Sequence, residues 1–519
     1  MGIPSFFSYI IKNHRNIIKE KTLLVNNLYL DCNSIIYDSI SKVDNFKSND
    51  DFENILINII CNKISFYIKE LSPTTNIFIA FDGVAPVAKL EQQRNRRYKS
   101  VIECKILNKQ DIWNTSSITP GTEFMNKLSK NIKKFFKNKN KFNVKNIIIS
   151  TSEENGEGEH KIYEYIRNNP DYHKNTTTLI YGLDADLIML TLNHLHIAPL
   201  IYLYRETPHF IKNIDDTLKP NKNYIIDIPL FSVILSKYLN NDKEPSSIQK
   251  KNRIFDYIFL CFLLGNDFLP HFPSLNIRTS GIESLMNAYR KIIGNTNENL
   301  VNGSKIIWKN FRKIIIELAN NEKELICQEY IKRDKQSNNI IKKNMKIDER
   351  FNSIPLLDRS IEKYINPFEN FWENRYYYTL FKINIDNEKR KKISINYLEG
   401  LEWTLKYYTI GCVDWRWKYN YNYPPLLNDL IKYIPYFDTI LILDNNNTSV
   451  SPLVQLSYVL PVKNLYLLPV KIQQLLLEKY KNIYTDTHNI NWAFCKYFWE
   501  SHIEFPHLSI EELENTILV

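Results

Sequence analysis

Five short apolar runs constrain this chain more than any other feature: Asn27–Asp31, Asn76–Asp82, Asn146–Thr151, Thr178–Leu183 and Leu200–Tyr204. Each has strand length and near-continuous hydrophobicity. The stretches between them, such as Phe52–Leu71 and Lys89–Leu107, repeat their apolar residues at helical period. Strands alternating with helices build a parallel sheet, because a parallel neighbour is reached by a crossover long enough to hold a helix. The expected fold is α/β, a mostly parallel twisted sheet flanked by helices over residues 1–290. Residues 291–355 turn to Asn, Lys and Glu and read as a connector with two helices. Residues 356–519 read as a second, mainly helical, aromatic-rich region.

Composition narrows the chemistry. With only 12 glycines in 519 residues there is no GxGxxG and no GxxxxGK[ST], so a nucleotide cofactor cradled by a Gly-rich loop is not expected. Seven cysteines, none spaced as CxxC, point to reduced thiols in a cytosol-like compartment and to no structural zinc. A net charge of +10 suits a polyanionic partner. The longest apolar candidate for a membrane span, Ile254–Leu264, is short and carries Asp256. The opening MGIPSFFSYI lacks a basic n-region, and Phe6 breaks the myristoylation pattern.

The acids carry the signal. Asp31 and Asp82 close two of the runs, Glu157 and Glu159 follow a third, Asp184 and Asp186 follow a fourth, and Asp267 follows IFLCFLLG. Ligands of an open parallel sheet bind beyond the carboxyl ends of its strands, so strand after strand delivers a carboxylate to one edge. One Asp at a strand end is usually a turn or capping residue, and a lone DxD also occurs in sugar-nucleotide enzymes. Five segments with the same arrangement are not explained that way. Seven converging acids repel one another unless divalent cations neutralise them. Oxygen donors without His or Cys select Mg²⁺ or Mn²⁺, and such a cluster supports metal-assisted phosphoryl transfer. Downstream of Asp82, Lys89, Gln93, Arg96 and Arg97 fall at i, i+4, i+7 and i+8 and share one helix face. That stripe could grip a phosphate, although a basic helix face is more often solvated surface.

The stretches MGIPSFFSYI, LYLDCNSIIYD, FDGVAPVAKLEQQRNRRY, GEGEHKI, GLDADLIML and GNDFLPHFP together resemble the 5′→3′ exoribonuclease family. YLEGLEWTLKYYTIGCVDWRWKYNYNYPP, SPLVQLSYVLP and FWESHIEFP resemble that family's second shared region. The resemblance implies a PIN/flap-nuclease-like fold whose second region packs over the active site and completes its pocket. It implies that Asp31, Asp82, Glu157, Glu159, Asp184, Asp186 and Asp267 are catalytic and hold one or two Mg²⁺ or Mn²⁺ ions. It assigns the 5′-phosphate to Lys89, Gln93, Arg96 and Arg97, and base stacking to Tyr37 and Trp415, with Trp417 as the alternative to Trp415. The implied activity is processive hydrolysis of 5′-monophosphorylated single-stranded RNA to mononucleotides. The implied setting is mRNA decay by a monomer in the cytoplasm, with the nucleus left open, beside the decapping machinery. The chain departs from the family at Tyr37 and Asn422, where His is usual, at Val87, where a basic residue is usual, and at Glu91 for a polar one. The resemblance also implies a minimal form without long C-terminal domains. Two other readings are a flap-type 5′ DNA nuclease, disfavoured by the missing GxG hairpin after Asp267, and a catalytically silent RNA-binding scaffold, disfavoured because every motif acid is present.

Overall fold

The central sheet of the computed structural model has seven strands: β1 (Ile18–Lys19), β2 (Asn27–Asp31), β3 (Asn76–Ala80), β4 (Asn146–Ser150), β5 (Thr178–Tyr181), β6 (Ile201–Glu206) and β7 (Asn223–Ile226). The structure describes residues 2–20, 23–109, 112–341, 345–384, 386–485 and 487–518. Sheet order is β1-β7-β6-β5-β2-β3-β4. The five strands expected from the apolar runs are the ones that pair in parallel. β7 and β1 add an antiparallel edge that no long apolar run announces.

β2, β3 and β5 are buried along their whole length, which is why they read as continuous rather than alternating hydrophobic runs. The period-2 alternation shows in what each face meets. Tyr29, Phe78, Ile180 and Leu203 point into the main core. Leu28, Leu30, Ile77, Ile79 and Leu179 point into a second core on the opposite face.

Six helices position the site: α1 (Phe6–Asn13), α2 (Asn33–Ile40), α3 (Asn49–Leu71), α4 (Val87–Ile106), α5 (Glu123–Phe135) and α6 (Gly158–Asn168). α3 shows why such a segment folds locally. The Ser48 side chain accepts from the Asp51 amide, Asp50 and Asp51 sit in the first turn, and Ser72 ends it in the left-handed region at φ 47°. With α2 and α5 it covers the second core.

The span 291–355 carries the helices Trp308–Asn320 and Glu322–Ile341, and the first of them buries Trp308, Phe311, Ile314 and Ile315 in the main core. The second region is mainly helical. Its long helix Asn387–Thr409 is opened by Asp386, whose side chain accepts from the Lys389 amide, and it sinks Trp403, Tyr407 and Tyr408 into the same core. Full burial of a large apolar side chain is worth roughly 1.5–3 kcal/mol. Three rings therefore hold the second region against the first by several times thermal energy. Among the described residues no helix is long and apolar enough to cross a membrane.

Candidate metal centre and phosphate pocket

The carboxyl ends of β5, β2, β3 and β4 lie side by side, and the acids follow from that order. Asp31 is the last residue of β2. Asp82 lies two residues beyond β3 and accepts from the Gly158 amide at 2.7 Å and from the Asn33 side chain. Glu157 caps α6 and Glu159 sits in its first turn, where a helix N-terminus favours negative charge. Asp184 follows β5, and Asp186 opens the helix Asp186–His194.

Two backbone bonds zip the loops that carry Asp82 and Glu157: the Gly83 amide to the Gly156 carbonyl and the Gly156 amide to the Val84 carbonyl, both 2.8 Å. A Cβ on Gly83 would stand 1.7 Å from the Glu154 carbonyl oxygen, so only glycine allows this approach. The buried Lys161 ammonium donates to the Phe81 and Thr151 carbonyls, 2.8 Å each, and ties the ends of β3 and β4 together.

Asp31, Glu159 and Asp184 converge most tightly, with one oxygen from each within 4.8 Å of the others. Asp186, Asp267 and Glu157 flank them. The Lys89 ammonium sits between Glu157 and Asp267, 2.5 Å from each. Asp267 also accepts from Gln92 at 3.0 Å and from the Gly2 amide at 3.2 Å. Gly2, at φ 57°, is packed so closely that a Cβ there would stand 1.8 Å from Asp186 Oδ1. Burial, with neighbouring carboxylates adding to it, pushes Asp31, Asp82, Glu157 and Glu159 above the usual carboxylate range and Asp186 up to about 7. Asp267 goes the other way: burial raises it, but Lys89 and other nearby positive charge, Arg96 included, together outweigh burial and hold it below that range.

Such a cluster must take up protons or cations. Its donors are all oxygens, and Glu159 Oε2 and Asp186 Oδ1 are buried without a hydrogen-bond partner. The residues present fit a hard divalent cation.

The second region closes over this centre. The Tyr407 hydroxyl donates to Glu157 at 2.9 Å, and its ring stacks on His160 with centroids 3.7 Å apart. The Val87 amide donates to the Trp415 carbonyl at 2.9 Å, and Glu91 accepts from Lys418 and Tyr458. Two of the departures noted in the sequence thus sit at the junction of the two regions.

The basic stripe divides on α4. Arg96 and Arg97 line a cavity of about 680 Å³ together with Tyr37, which is 40% exposed on α2. Arg97 is buried, its Nε has no hydrogen-bond partner, and burial pulls its guanidinium down to about 10. Gln93 is buried with Oε1 unpartnered. Lys89 does not line that cavity; its ammonium pairs with Glu157 and Asp267.

Trp415 is half-buried, its ring 4.0 Å from where a Cβ on Gly156 would stand. Trp417 is a core residue, stacked on Trp403 with centroids 5.2 Å apart. Sequence reasoning missed Gly2, Asn33, Tyr407 and Arg205. Arg205, at the end of β6, lies 3.5 Å over the Phe7 ring and donates to the Leu183 carbonyl at 2.7 Å, bracing the turn before Asp184.

Known families share this chain's pattern. The description "XRN 5'-3' exonuclease N-terminus" matches residues 1–207, and "Xrn1 helical domain" matches residues 248–356 and 357–518. The 5'-3' exoribonuclease 2 homolog of Drosophila melanogaster is 26% identical over 99% of this chain and 70% of its own length. The 5'-3' exoribonuclease 1 of Saccharomyces cerevisiae is 27% identical over 93% of this chain, and the human one 28% over 92%. This chain spans only 41% and 31% of those two relatives. Both numbered types match at similar identity, so the likeness does not assign the chain to either. On the two family regions, matched in order over most of its length, the chain belongs to the XRN 5′-3′ exonuclease family.

Proposed function

We propose that the chain is a processive 5′→3′ exoribonuclease that hydrolyses 5′-monophosphorylated single-stranded RNA to mononucleotides with Mg²⁺ or Mn²⁺. The observation that carries this is the layout around α4. Three carboxylates within 4.8 Å lie at its foot, and the buried Arg97, lacking an Nε partner, faces a cavity further along it. The names of the relatives, all 5'-3' exoribonucleases, support the reaction and its polarity.

A bound divalent ion would lower the pKa of an attacking water and steady the leaving oxygen. Asp31, Glu159 and Asp184 would hold it, with Asp82 and Asp186 beside them. Glu157 and Asp267 are balanced by Lys89, which keeps the site from accumulating its full negative charge when substrate phosphate enters. Arg97 and Arg96 would bind the terminal phosphate through forked donors. Tyr37 offers the first base a ring on the same cavity wall, and stacking is tolerant of sequence.

The test is digestion of matched RNA and DNA bearing 5′-phosphate, 5′-hydroxyl or 5′-triphosphate, with Mg²⁺ and with EDTA. The expected result is Mg²⁺-dependent loss of 5′-phosphorylated RNA alone, with Arg97→Ala narrowing the preference for phosphate over hydroxyl. Full activity in chelator, or equal rates on the two ends by the unmutated protein, would refute the proposal.

A further inference from the structure

α4 has a cavity on each side. One is the Tyr37–Arg97 cavity; the other, of about 890 Å³, lies across the helix and reaches the metal centre at Gly2, Gln92 and Asp267. Arg96 lines both. The volume of the second falls within the roughly 300–1,000 Å³ of small-ligand sites.

Its walls pair cations with rings. Arg94 is 2% exposed, lies on the Phe505 ring at 4.0 Å, has an Nε without a hydrogen-bond partner, and has no carboxylate at ion-pair distance among the described residues. Glu91, one turn earlier on α4, is engaged by Lys418 and Tyr458. Phe381 and Tyr421 line the same cavity as a tilted pair with centroids 5.7 Å apart, and both rings are half-buried.

We propose that this second cavity receives the nucleoside 5′-monophosphate released at each step and is its way out, an inference that rests on the processive exonuclease reading. An enzyme that keeps hold of its polymer cannot pass each product back through the entrance that the polymer fills. It needs a second opening at the cleavage site. The product carries a phosphate dianion and a flat base; Arg94 and Arg96 answer the first and the ring pair answers the second.

The experiment uses the full chain, AMP as probe, and a 5′-phosphorylated RNA made resistant to hydrolysis. With the RNA saturating, AMP should still bind, one per chain, at an affinity close to that without RNA. Arg94→Gln should weaken AMP binding by about tenfold, as loss of a charge-assisted contact does. Asn422→Trp, which narrows the cavity at a lining residue that makes no hydrogen bond among the described residues, should weaken it as well. Both variants should remove the first nucleotide of a cleavable RNA at the wild-type rate in a single turnover and slow the steps that follow. Strict competition between AMP and RNA would overturn the proposal. So would wild-type AMP binding by both variants at unchanged melting temperature. Absence of any digestion by the unmutated protein brings down the exonuclease reading and this one with it, whereas digestion with competitive AMP binding brings down this one alone.

Discussion

Replacing Lys89 with Met tests whether this lysine serves the acid cluster or the substrate. Its ammonium makes two 2.5 Å ion pairs, to Glu157 and Asp267, and those side chains are only 5% and 4% exposed. Removing one partner of a buried pair costs about 3–5 kcal/mol, because the remaining charge is stranded. Entropy of unfolding near 2.1 cal/mol/K per residue gives about 1 kcal/mol per degree for a unit of this size. The melting temperature in EDTA should therefore fall by about 3–5 °C if the chain melts as one unit. Added Mg²⁺ can replace the lost positive charge, so the deficit should shrink with the ion, and the Mg²⁺ concentration for half-maximal activity should drop. The preference for 5′-phosphate over 5′-hydroxyl RNA should survive, unlike in Arg97→Ala. Wild-type melting in EDTA combined with loss of that preference would refute the reasoning and return Lys89 to the phosphate.

Tyr37→Ala and Trp415→Ala should shorten each processive run on long RNA and spare both first-nucleotide cleavage and melting temperature. Trp417→Ala, emptying a core position, should instead cost about 3–5 kcal/mol and be read in thermal denaturation. Burial pushes Glu322 up to about 8, against the Leu427 and Asn428 amides that donate to it. A carboxyl whose folded pKa is raised from about 4.5 stabilises the fold at acid pH and loses that contribution as pH climbs through about 8. Glu322→Gln should remove this slope, so its melting temperature relative to wild type should rise between pH 5 and pH 8.

What was legible in the sequence follows from how locally each feature is determined. β2, β3 and β5 are readable because a strand buried on both faces must be hydrophobic at every position, and the acids from Asp31 to Asp186 are readable because each lies close behind its strand or at the start of the next helix; Asp267 instead follows the helix Ser247–Cys261. β1 and β7 are two and four residues long and gain their identity only by pairing with each other and with β6. Trp415 and Trp417 stand in a segment without helix or strand, where no period says which ring turns inward. Only the Trp403 stack in the main core decides it. The members of the stripe on α4 meet different neighbours in the structure. The helix begins inside the acid cluster, so its first member, Lys89, meets carboxylates before it can meet a phosphate.

The residues that sequence reasoning missed share one physical role. An acid cluster built at adjacent strand ends is self-repelling, and the sheet that builds it supplies few donors there. The donors come from far along the chain: the Gly2 amide to Asp267, 265 residues away, and the Tyr407 hydroxyl to Glu157, 250 residues away. Arg205 adds a cation beside the Asp184 turn from the far side of β5. Closure of the second region is therefore more than a roof for the RNA. Trp403, Tyr407 and Tyr408 bring hydrophobic burial to the place where the carboxylates most oppose folding, and the same helix delivers a hydroxyl to one of them. The apolar contacts that join the two regions offset the electrostatic cost of the site, which is why the aromatic helix lies directly against the acids.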